Sequence, residues 1–256
     1  MLKAKTINII FNSLIVVSIL LCFLLKWSFW IPVSLAFIWL CITIIGSFNI
    51  QLNYHLDSLC RQPSISTNQV ALTFDDGPHP DFTPKVLELL KKHQAKATFF
   101  CIGRNLETYP ELAKTILEQG HAIGNHTYSH SPAFGFFSTK KVVVELQRTN
   151  GIITQLVKKS PLLYRPIYGV TNPAIKRAVK QLNLKSIGWN VRSLDTVLNE
   201  NQAYNRLLKI KKGDLILLHD TSQKTVNILE RLLRSLSEQN LSSVTVDELL
   251  NIEAYE

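Results

Sequence analysis

Val70-Ala71-Leu72-Thr73-Phe74-Asp75-Asp76-Gly77-Pro78 is the stretch of sequence that decides the fold. Its apolar run is typical of a buried strand, and the run ends abruptly at two adjacent carboxylates. Gly and Pro then favour a tight turn, although the same four residues, Asp-Asp-Gly-Pro, are also compatible with ordinary turn chemistry. Because side chains alternate along a strand, Asp75 and Asp76 are predicted to point differently. One carboxylate is then free to bind a metal while the other acts as a base.

Strand-like and helix-like segments alternate along the chain after this stretch begins. Strands are predicted at residues 69–74, 97–102, 122–124, 162–165, 186–189, 214–218 and 243–246. The alternation predicts an α/β fold with a parallel sheet. With polar residues following several strands, the pattern suits a barrel that carries its chemistry at the carboxyl ends of the strands.

Two histidines, His126 and His130, follow the apolar segment Ala122-Ile123-Gly124. Their spacing of four predicts that both lie on one face of a helical turn. An isolated pair of this kind is also compatible with two surface histidines. Together with one carboxylate from the first stretch, however, they make three protein ligands and leave positions open for water and substrate. A metal bound in this way polarises a carbonyl and lowers the pKa of a bound water.

Three further strand ends carry polar side chains. His219 follows the apolar run 215–218, and it is either bonded to the backbone or a general acid that protonates a leaving amine. Arg165 lies just before a turn, and it forms either a structural salt bridge or a contact that holds a catalytic carboxylate. Asp195 follows the apolar segment that contains Trp189.

Taken in order, these motifs make the chain similar to the polysaccharide deacetylases of carbohydrate esterase family four, which share the nodulation-deacetylase homology domain. The motifs are Thr73-Phe74-Asp75-Asp76-Gly77, His126-x-x-x-His130, Arg165-Pro166-x-Tyr168, Asp195 and Leu217-x-His219. The similarity runs from about Gln69 to about Val246. It implies a distorted, incomplete (β/α) barrel of about seven parallel strands. It also implies a metal-dependent hydrolase that removes N-acetyl groups from the amino sugars of a glycan.

The resemblance assigns catalytic roles to four residues. Asp75 resembles the general base that takes a proton from the metal-bound water, and Arg165 resembles the residue that orients this base. His219 resembles the general acid. Asp195 resembles a member of the charge network that supports the acid.

The resemblance also implies a metal site and two substrate contacts. Asp76, His126 and His130 resemble the ligands of one divalent metal ion, with zinc expected. The backbone N–H of Tyr168 resembles a donor to the oxyanion, and Leu217 resembles part of the pocket for the acetyl methyl group.

Three positions depart from the family pattern. Arg192 stands where the family often has Asp, Thr196 where it often has Trp, and Ile167 where it commonly has Pro. These changes alter one wall of the expected substrate groove and leave the metal and acid/base residues intact, so we expect an active enzyme. The alternatives are an O-acetyl esterase that acts on a glycan and a catalytically weak, membrane-anchored glycan-binding protein.

The first 48 residues are expected to form a membrane anchor of two transmembrane helices, near residues 7–25 and 31–48. Each apolar stretch is close to the ~20 residues that a span needs. Trp27 and Trp30 beside Lys26 suit an interfacial belt between the two spans. A cleaved signal peptide and a buried soluble hairpin are the alternatives. Residues 49–68 are then interpreted as a linker and residues 69–256 as the catalytic domain.

Charge bears on partners and on the side of the membrane. The region beyond residue 50 holds 25 basic and 19 acidic residues, a net charge of +6, which suits anionic lipid or glycan. Membrane lipid and a glycan with N-acetylated amino sugars are the expected partners, and no nucleic acid is expected.

Lys3 and Lys5 outnumber Lys26, which favours a cytoplasmic domain, whereas polymeric glycans lie outside the cell. We place the domain on the outer side; peptidoglycan, surface polysaccharide, chitin-like oligomers and lipid-linked sugars all remain possible substrates.

Overall fold

A computed structural model describes residues 3–256, and in this range the chain builds one sheet of nine parallel strands. The strands are β1 (Ser58–Leu59), β2 (Gln69–Asp75), β3 (Ala97–Cys101), β4 (Ala122–Asn125), β5 (Leu163–Tyr164), β6 (Lys185–Ile187), β7 (Val191–Arg192), β8 (Leu215–His219) and β9 (Ser242–Val244). Their order is β1-β6-β5-β4-β3-β2-β8-β7, and β9 pairs with the first residues of β2. The predicted incomplete barrel of parallel strands is confirmed. It holds two more strands than expected, because β1 and β7 are too short to show a pattern.

The chain forms ten α-helices in the range that the structure describes. They are α1 (Ala4–Leu25), α2 (Trp30–Phe48), α3 (Thr83–Lys92), α4 (Gly103–Thr108), α5 (Pro110–Glu118), α6 (Thr139–Val157), α7 (Pro173–Gln181), α8 (Glu200–Asn205), α9 (Gln223–Glu238) and α10 (Val246–Leu250). The amphipathic helices α3 and α9 cover β2, β3 and β8, because packing on the sheet removes their apolar stripes from water.

Successive side chains of β2 point alternately to an apolar face and to a polar face of the sheet. Leu72 and Phe74 belong to the apolar cluster beneath the helices, where Phe74 stacks on Phe99 with ring centroids 5.1 Å apart. Thr73 and Asp75 point to the other face, into the barrel, where both accept hydrogen bonds from Arg165. The barrel interior is therefore polar at the carboxyl end of the strands, and the candidate site lies there.

The two N-terminal helices pack against each other, and both are long and apolar enough to cross a membrane. The base of this hairpin is bonded to the remainder of the chain. The Ala4 N–H donates to Tyr54 O at 2.9 Å, and Ser47 Oγ lies 3.0 Å from His55 Nε2. On the other side of α2, the Thr171 N–H donates to Ser47 O at 2.9 Å.

The segment interpreted as a linker, residues 49–68, takes part in the folded structure. Ile50 is buried, and β1 pairs with β6 at the edge of the sheet. A buried pair of hydroxyls, Ser58 and Ser186, joins the two strands at 2.8 Å. The hairpin and the sheet are thus connected through ordered chain.

Candidate metal centre and active site

Parallel strands bring the sequence motifs to one edge of the sheet. Asp75 ends β2 and stands in register with His219, which ends the neighbouring β8. His126 follows β4, and Arg165 follows β5, which pairs with β4. Residues separated by up to about 145 positions therefore face one space, because the carboxyl ends of parallel strands meet at one edge.

Asp76, His126 and His130 come together at this edge. A left-handed backbone at Asp76 (φ 74°) turns its side chain away from the direction of Asp75. Asp76 Oδ1 lies 3.4 Å from His126 Nε2 and 3.1 Å from His130 Nε2. One ligand atom from each residue falls within 4.8 Å of the others.

The two histidines do not share a helical turn, so that expectation was wrong. They lie in an irregular loop with left-handed backbone at Thr127 (φ 66°) and His130 (φ 48°). Buried Asn125 holds the loop, because its Oδ1 accepts the Thr127 N–H at 2.8 Å while its amide nitrogen donates to Leu146 O. The side-chain oxygen of Asn125 replaces the backbone bonds that a helix would have supplied.

The three residues fit a divalent cation. His126 Nδ1 donates to Arg165 O at 2.9 Å, which directs Nε2 towards Asp76, so that Nε2 is the atom that would bind a metal once its proton is lost. Asp76 Oδ1 is buried, yet it has no hydrogen-bond partner within residues 3–256. A buried carboxylate oxygen without a donor is costly unless a cation satisfies it. One oxygen and two imidazole nitrogens are a donor set typical of zinc and similar metals.

Charges around the triad favour a cation at the same place. Burial opposes ionisation of Asp76, but His126 and His130 outweigh burial and hold the pKa of Asp76 well below its ordinary value. Burial also disfavours a charged His126, but the carboxylates of Asp75 and Asp76 raise the pKa of His126 above its ordinary value. Burial and the neighbouring His126 lower the pKa of His130, which keeps this ring neutral. Neutral imidazole is the form that binds metal.

Arg165 fixes the orientation of Asp75. Its guanidinium is completely buried, and Nη1 donates to Asp75 Oδ1 at 2.8 Å and to Thr73 Oγ1 at 2.7 Å. Its other nitrogens donate to the carbonyls of Ile187 and Gly188. With Oδ1 held in this way, the second oxygen of Asp75 faces the metal ligands, 3.9 Å from His126 Nε2.

His219 is held by Asp195. Nδ1 of His219 lies 2.8 Å from Asp195 Oδ1, and the His219 N–H donates to Asp195 Oδ2 at 2.8 Å. The hydroxyls of Ser193 and Thr225 also donate to this completely buried carboxylate. Burial lowers the pKa of His219, but the hydrogen bond and charge of Asp195 outweigh burial and raise it above its ordinary value. The Nε2 atom is left to exchange a proton with a ligand.

The two predicted substrate residues have different neighbours and different burial. Leu217 is buried against Ile50 and Trp189, two residues that the sequence motifs do not place in the pocket. Tyr168 is exposed, with a left-handed backbone (φ 55°), and its ring meets the His130 ring edge-on with centroids 5.4 Å apart. Ile50 belongs to the chain that leaves α2, and no local pattern in the sequence shows that this chain returns to the site.

Two of the three departures from the family pattern, Arg192 and Thr196, lie in β7 and the loop that follows it. The third, Ile167, follows β5 and is buried. Arg192 stands in register with Leu217, and its guanidinium is 5.8 Å from the Trp189 ring centroid. Thr196 is exposed. A cationic side chain thus borders the pocket where the family often has an acid.

Asp220 is a buried acid that lies outside the five sequence motifs. It follows His219 directly, and it accepts a hydrogen bond from Thr83 Oγ1. Burial raises its pKa to about 7. Its carboxylate packs against Gly77 so closely that a Cβ at that position would collide with it. The sequence does show that Asp220 directly follows a strand-end histidine, which points to a position near the site. Its packing against the Asp-Asp-Gly turn has no local pattern in the sequence.

Comparisons with known proteins agree with this architecture. Residues 64–187 match the family model described as polysaccharide deacetylase. A peptidoglycan-N-acetylglucosamine deacetylase of Bacillus cereus is 37% identical over 188 residues, which cover 71% of this chain and 87% of the relative. The crystal structure of the Bc1960 peptidoglycan N-acetylglucosamine deacetylase, solved with a naphthyl N-oxidanyl-benzamide, superposes with a TM-score of 0.72 and 33% identity. It covers 78% of this chain and 95% of that chain. BA3943 of Bacillus anthracis, described as a pseudoenzyme of carbohydrate esterase family four, has a TM-score of 0.69 and 28% identity, over 76% and 69% of the two chains.

Proposed function

This chain belongs to the polysaccharide deacetylase family, and we propose that it is a metal-dependent hydrolase that removes N-acetyl groups from the amino sugars of a glycan. The observation that carries the proposal is the position of Asp75 and His219. They end adjacent strands in register, and each is held by its own buried partner, Arg165 and Asp195. A base and an acid on the two sides of one reacting carbon are what amide hydrolysis requires.

Asp76, His126 and His130 would hold the metal, for which zinc is expected. A bound divalent cation supplies a Lewis acid that polarises the acetyl carbonyl and acidifies water. We assign the remaining steps to the chain's own groups. Asp75 Oδ2 takes a proton from the attacking water as the new C–O bond forms. His219 Nε2 gives a proton to the sugar nitrogen as the C–N bond breaks, and acetate and a free amine leave.

Two further groups complete the proposed site. The backbone N–H of Tyr168 donates to the oxyanion that forms during attack. Leu217, with Trp189 and Ile50 packed around it, receives the acetyl methyl group. The apolar character of this cluster supports an acyl pocket, because a methyl group gains most where water is excluded.

Acetate release by the purified full chain, with the metal defined, tests this function. The substrates are amide-linked and ester-linked acetyl sugars of the same skeleton, which separates the deacetylase from an O-acetyl esterase. Asp75→Asn serves as the inactive control. Metal binding and glycan binding without acetate release from any substrate would instead support the weak, glycan-binding alternative.

For the membrane, we propose that residues 1–48 anchor the protein, that residues 49–68 connect the anchor to the catalytic domain, and that residues 69–256 form this domain on the outer side. The length and apolar surface of both helices support a two-span anchor. A membrane-impermeant thiol reagent tests the orientation in intact cells that carry Cys60→Ser and one new exposed cysteine at Ser66. Labelling before lysis is expected. Labelling that requires lysis would put the domain in the cytoplasm.

A further inference from the structure

An apolar groove of about 340 Å³ lies beside the proposed active site. Its walls are Phe48 from the last turn of α2, Phe134 and Phe136 from the loop after the histidines, and Tyr168 and Val170 from the loop after β5. Such a volume is within the range of small-molecule sites, about 300–1,000 Å³. Phe136 is 93% exposed, which is unusual for a large aromatic side chain.

The groove adjoins the proposed metal centre. Ser131, which lines the groove, follows His130 directly, and Tyr168 lies on the groove while its ring contacts the His130 ring. A ligand in the groove therefore lies next to the proposed metal site.

The end of a candidate membrane span also lines the groove. Ser47 and Phe48 close α2, and the Thr171 N–H donates to Ser47 O, so the groove loop is bonded to the helix end itself. Further bonds of Tyr54 and His55 to the hairpin hold its base against the domain. With α2 as a membrane span, the groove lies at the level where the helix leaves the bilayer. Exposed Phe48, Phe136 and Tyr168 surround it, as in the aromatic belt of membrane proteins.

Three of the five polar side chains that line the groove, those of Ser47, Ser131 and Asn172, already hydrogen-bond within the protein. Asn172 donates to Gly135 O at 2.7 Å and accepts from the Ile175 N–H at 2.8 Å. Ser47 Oγ is engaged by Thr43 O and His55. A further sugar ring would find few partners for its hydroxyl groups there, whereas a hydrocarbon chain needs none.

From these contacts we propose that the groove binds the hydrocarbon chain of a lipid carrier, so that the enzyme acts on an N-acetylated amino sugar attached to a long-chain lipid. The inference rests on the proposed deacetylase function for its chemistry and adds the class of substrate. The hydrocarbon chain of the lipid enters between α2 and Phe136, and the sugar reaches the metal centre past Tyr168. The anchor then serves for recognition as well as attachment, because the helix end forms one wall of the binding site.

The experiment compares two substrates on the full chain in detergent micelles, with zinc supplied. One is N-acetylglucosamine joined through a phosphate to a long polyprenyl chain, and the other is the same sugar phosphate on a one-isoprene chain. The long chain is expected to raise kcat/KM for acetate release by about tenfold or more. Phe136→Asp is expected to reduce this preference about fivefold or more while activity on the short substrate stays within about twofold. Gly135→Leu is expected to act in the same way, because a Cβ there lies 3.5 Å from Val170 Cγ1 and directs a side chain into the groove.

Leu208→Asp is the matched control, since Leu208 is also apolar and 51% exposed but lies outside the groove. Its long-chain preference should equal that of the unmodified chain. Equal kcat/KM for the two substrates, or a preference that Phe136→Asp leaves unchanged, overturns the inference. Faster hydrolysis of longer soluble chitin-like oligomers that Phe136→Asp abolishes also overturns it, because the groove then binds sugar.

Photo-crosslinking separates this inference from the deacetylase proposal. A long-chain polyprenyl phosphate with a diazirine near its head group is bound to the full chain, and the labelled peptides are identified by mass spectrometry. Labelling of residues 131–137, reduced in Gly135→Leu, supports the groove even if acetate release fails. Labelling confined to α1 and α2 overturns it even if acetate release succeeds.

Discussion

Replacing Asp195 by Asn removes the negative charge behind His219 and alters little else in shape. The side chain is completely buried and accepts four hydrogen bonds, from the ring and N–H of His219 and from the hydroxyls of Ser193 and Thr225. Asn keeps one acceptor oxygen but presents an amide nitrogen to donors at its second position. His219 thus loses the negative charge that stabilises its protonated form. The variant tests whether Asp195 orients His219 and keeps it protonated.

The expected size of the effect follows from the contacts of His219. An opposite charge in direct contact shifts a pKa by about 1–3, so without Asp195 we expect the pKa of His219 to fall by about 1–2. Each unit corresponds to a tenfold change in the protonated fraction. A general acid works only when protonated, so activity is lost as pH rises through this pKa. The alkaline limb of the wild-type rate profile should lie above about pH 6.5, and in Asp195→Asn it should move down by about 1–2.

The sign of the stability change follows from the same interaction. Asp195 raises the folded-state pKa of His219, so this pair adds stability that is complete below the ordinary histidine pKa and is lost as pH rises through the raised value. Despite its burial, Asp195 has a pKa below its ordinary value because His219 and Thr225 bond to it, so the carboxylate's contribution is lost as pH falls through that lowered value. Asp195→Asn should therefore lose most stability near pH 5–6.

The measurement is kcat against pH for acetate release, with thermal unfolding recorded at the same pH values. Thr225→Val is the control, because it removes one hydrogen bond to Asp195 and keeps the charge. Its alkaline limb should move by much less than that of Asp195→Asn. An alkaline limb that stays in place in Asp195→Asn, with metal content unchanged, would refute the assignment of His219 as the acid supported by Asp195.

Three further predictions concern the metal, the base and the turn. His126→Ala should lose most of its bound metal in elemental analysis, because one of three ligand atoms is gone; full occupancy would remove this residue from the ligand set. Asp75→Asn should keep its metal and lose a factor of about 10²–10⁴ in kcat, the usual contribution of a general base; near-normal turnover would contradict its role. Gly77→Ala should destabilise the fold by about 1–3 kcal/mol in thermal unfolding, since its Cβ meets the Asp220 carboxylate. An unchanged midpoint would show that Asp220 can move aside.

Local sequence patterns were sufficient for the elements that carry the motifs. The run from Val70 to Phe74 forms β2 and the run from Leu215 to Leu218 forms most of β8, as their apolar character predicted. A continuous apolar run without helical periodicity can be buried on both faces in a parallel sheet. The parallel sheet then requires that the carboxyl ends of these strands meet, so the proximity of Asp75 and His219 was predictable in outline.

Short elements and backbone conformations were not predictable in the same way. The spacing of His126 and His130 suggested a helical turn, but buried Asn125 holds the loop with left-handed residues instead. The strands β1 and β7 have two residues each, which is too few for any periodicity to appear. The local secondary-structure propensity of a few residues is weak, and tertiary hydrogen bonds override it in such short segments.

The sequence by itself determined which chemical groups this chain brings to the ends of its strands, because residue type and strand alternation are local properties. Only the tertiary structure decided which of these groups meet. Asp75 and Arg165 lie 90 positions apart, and their ion pair depends on the order of the strands in the sheet. The arrival of Ile50 at the Leu217 pocket and of Phe48 at the groove depends on how the hairpin docks on the domain. Contacts of this kind arise from the packing of whole elements, which no window of sequence contains.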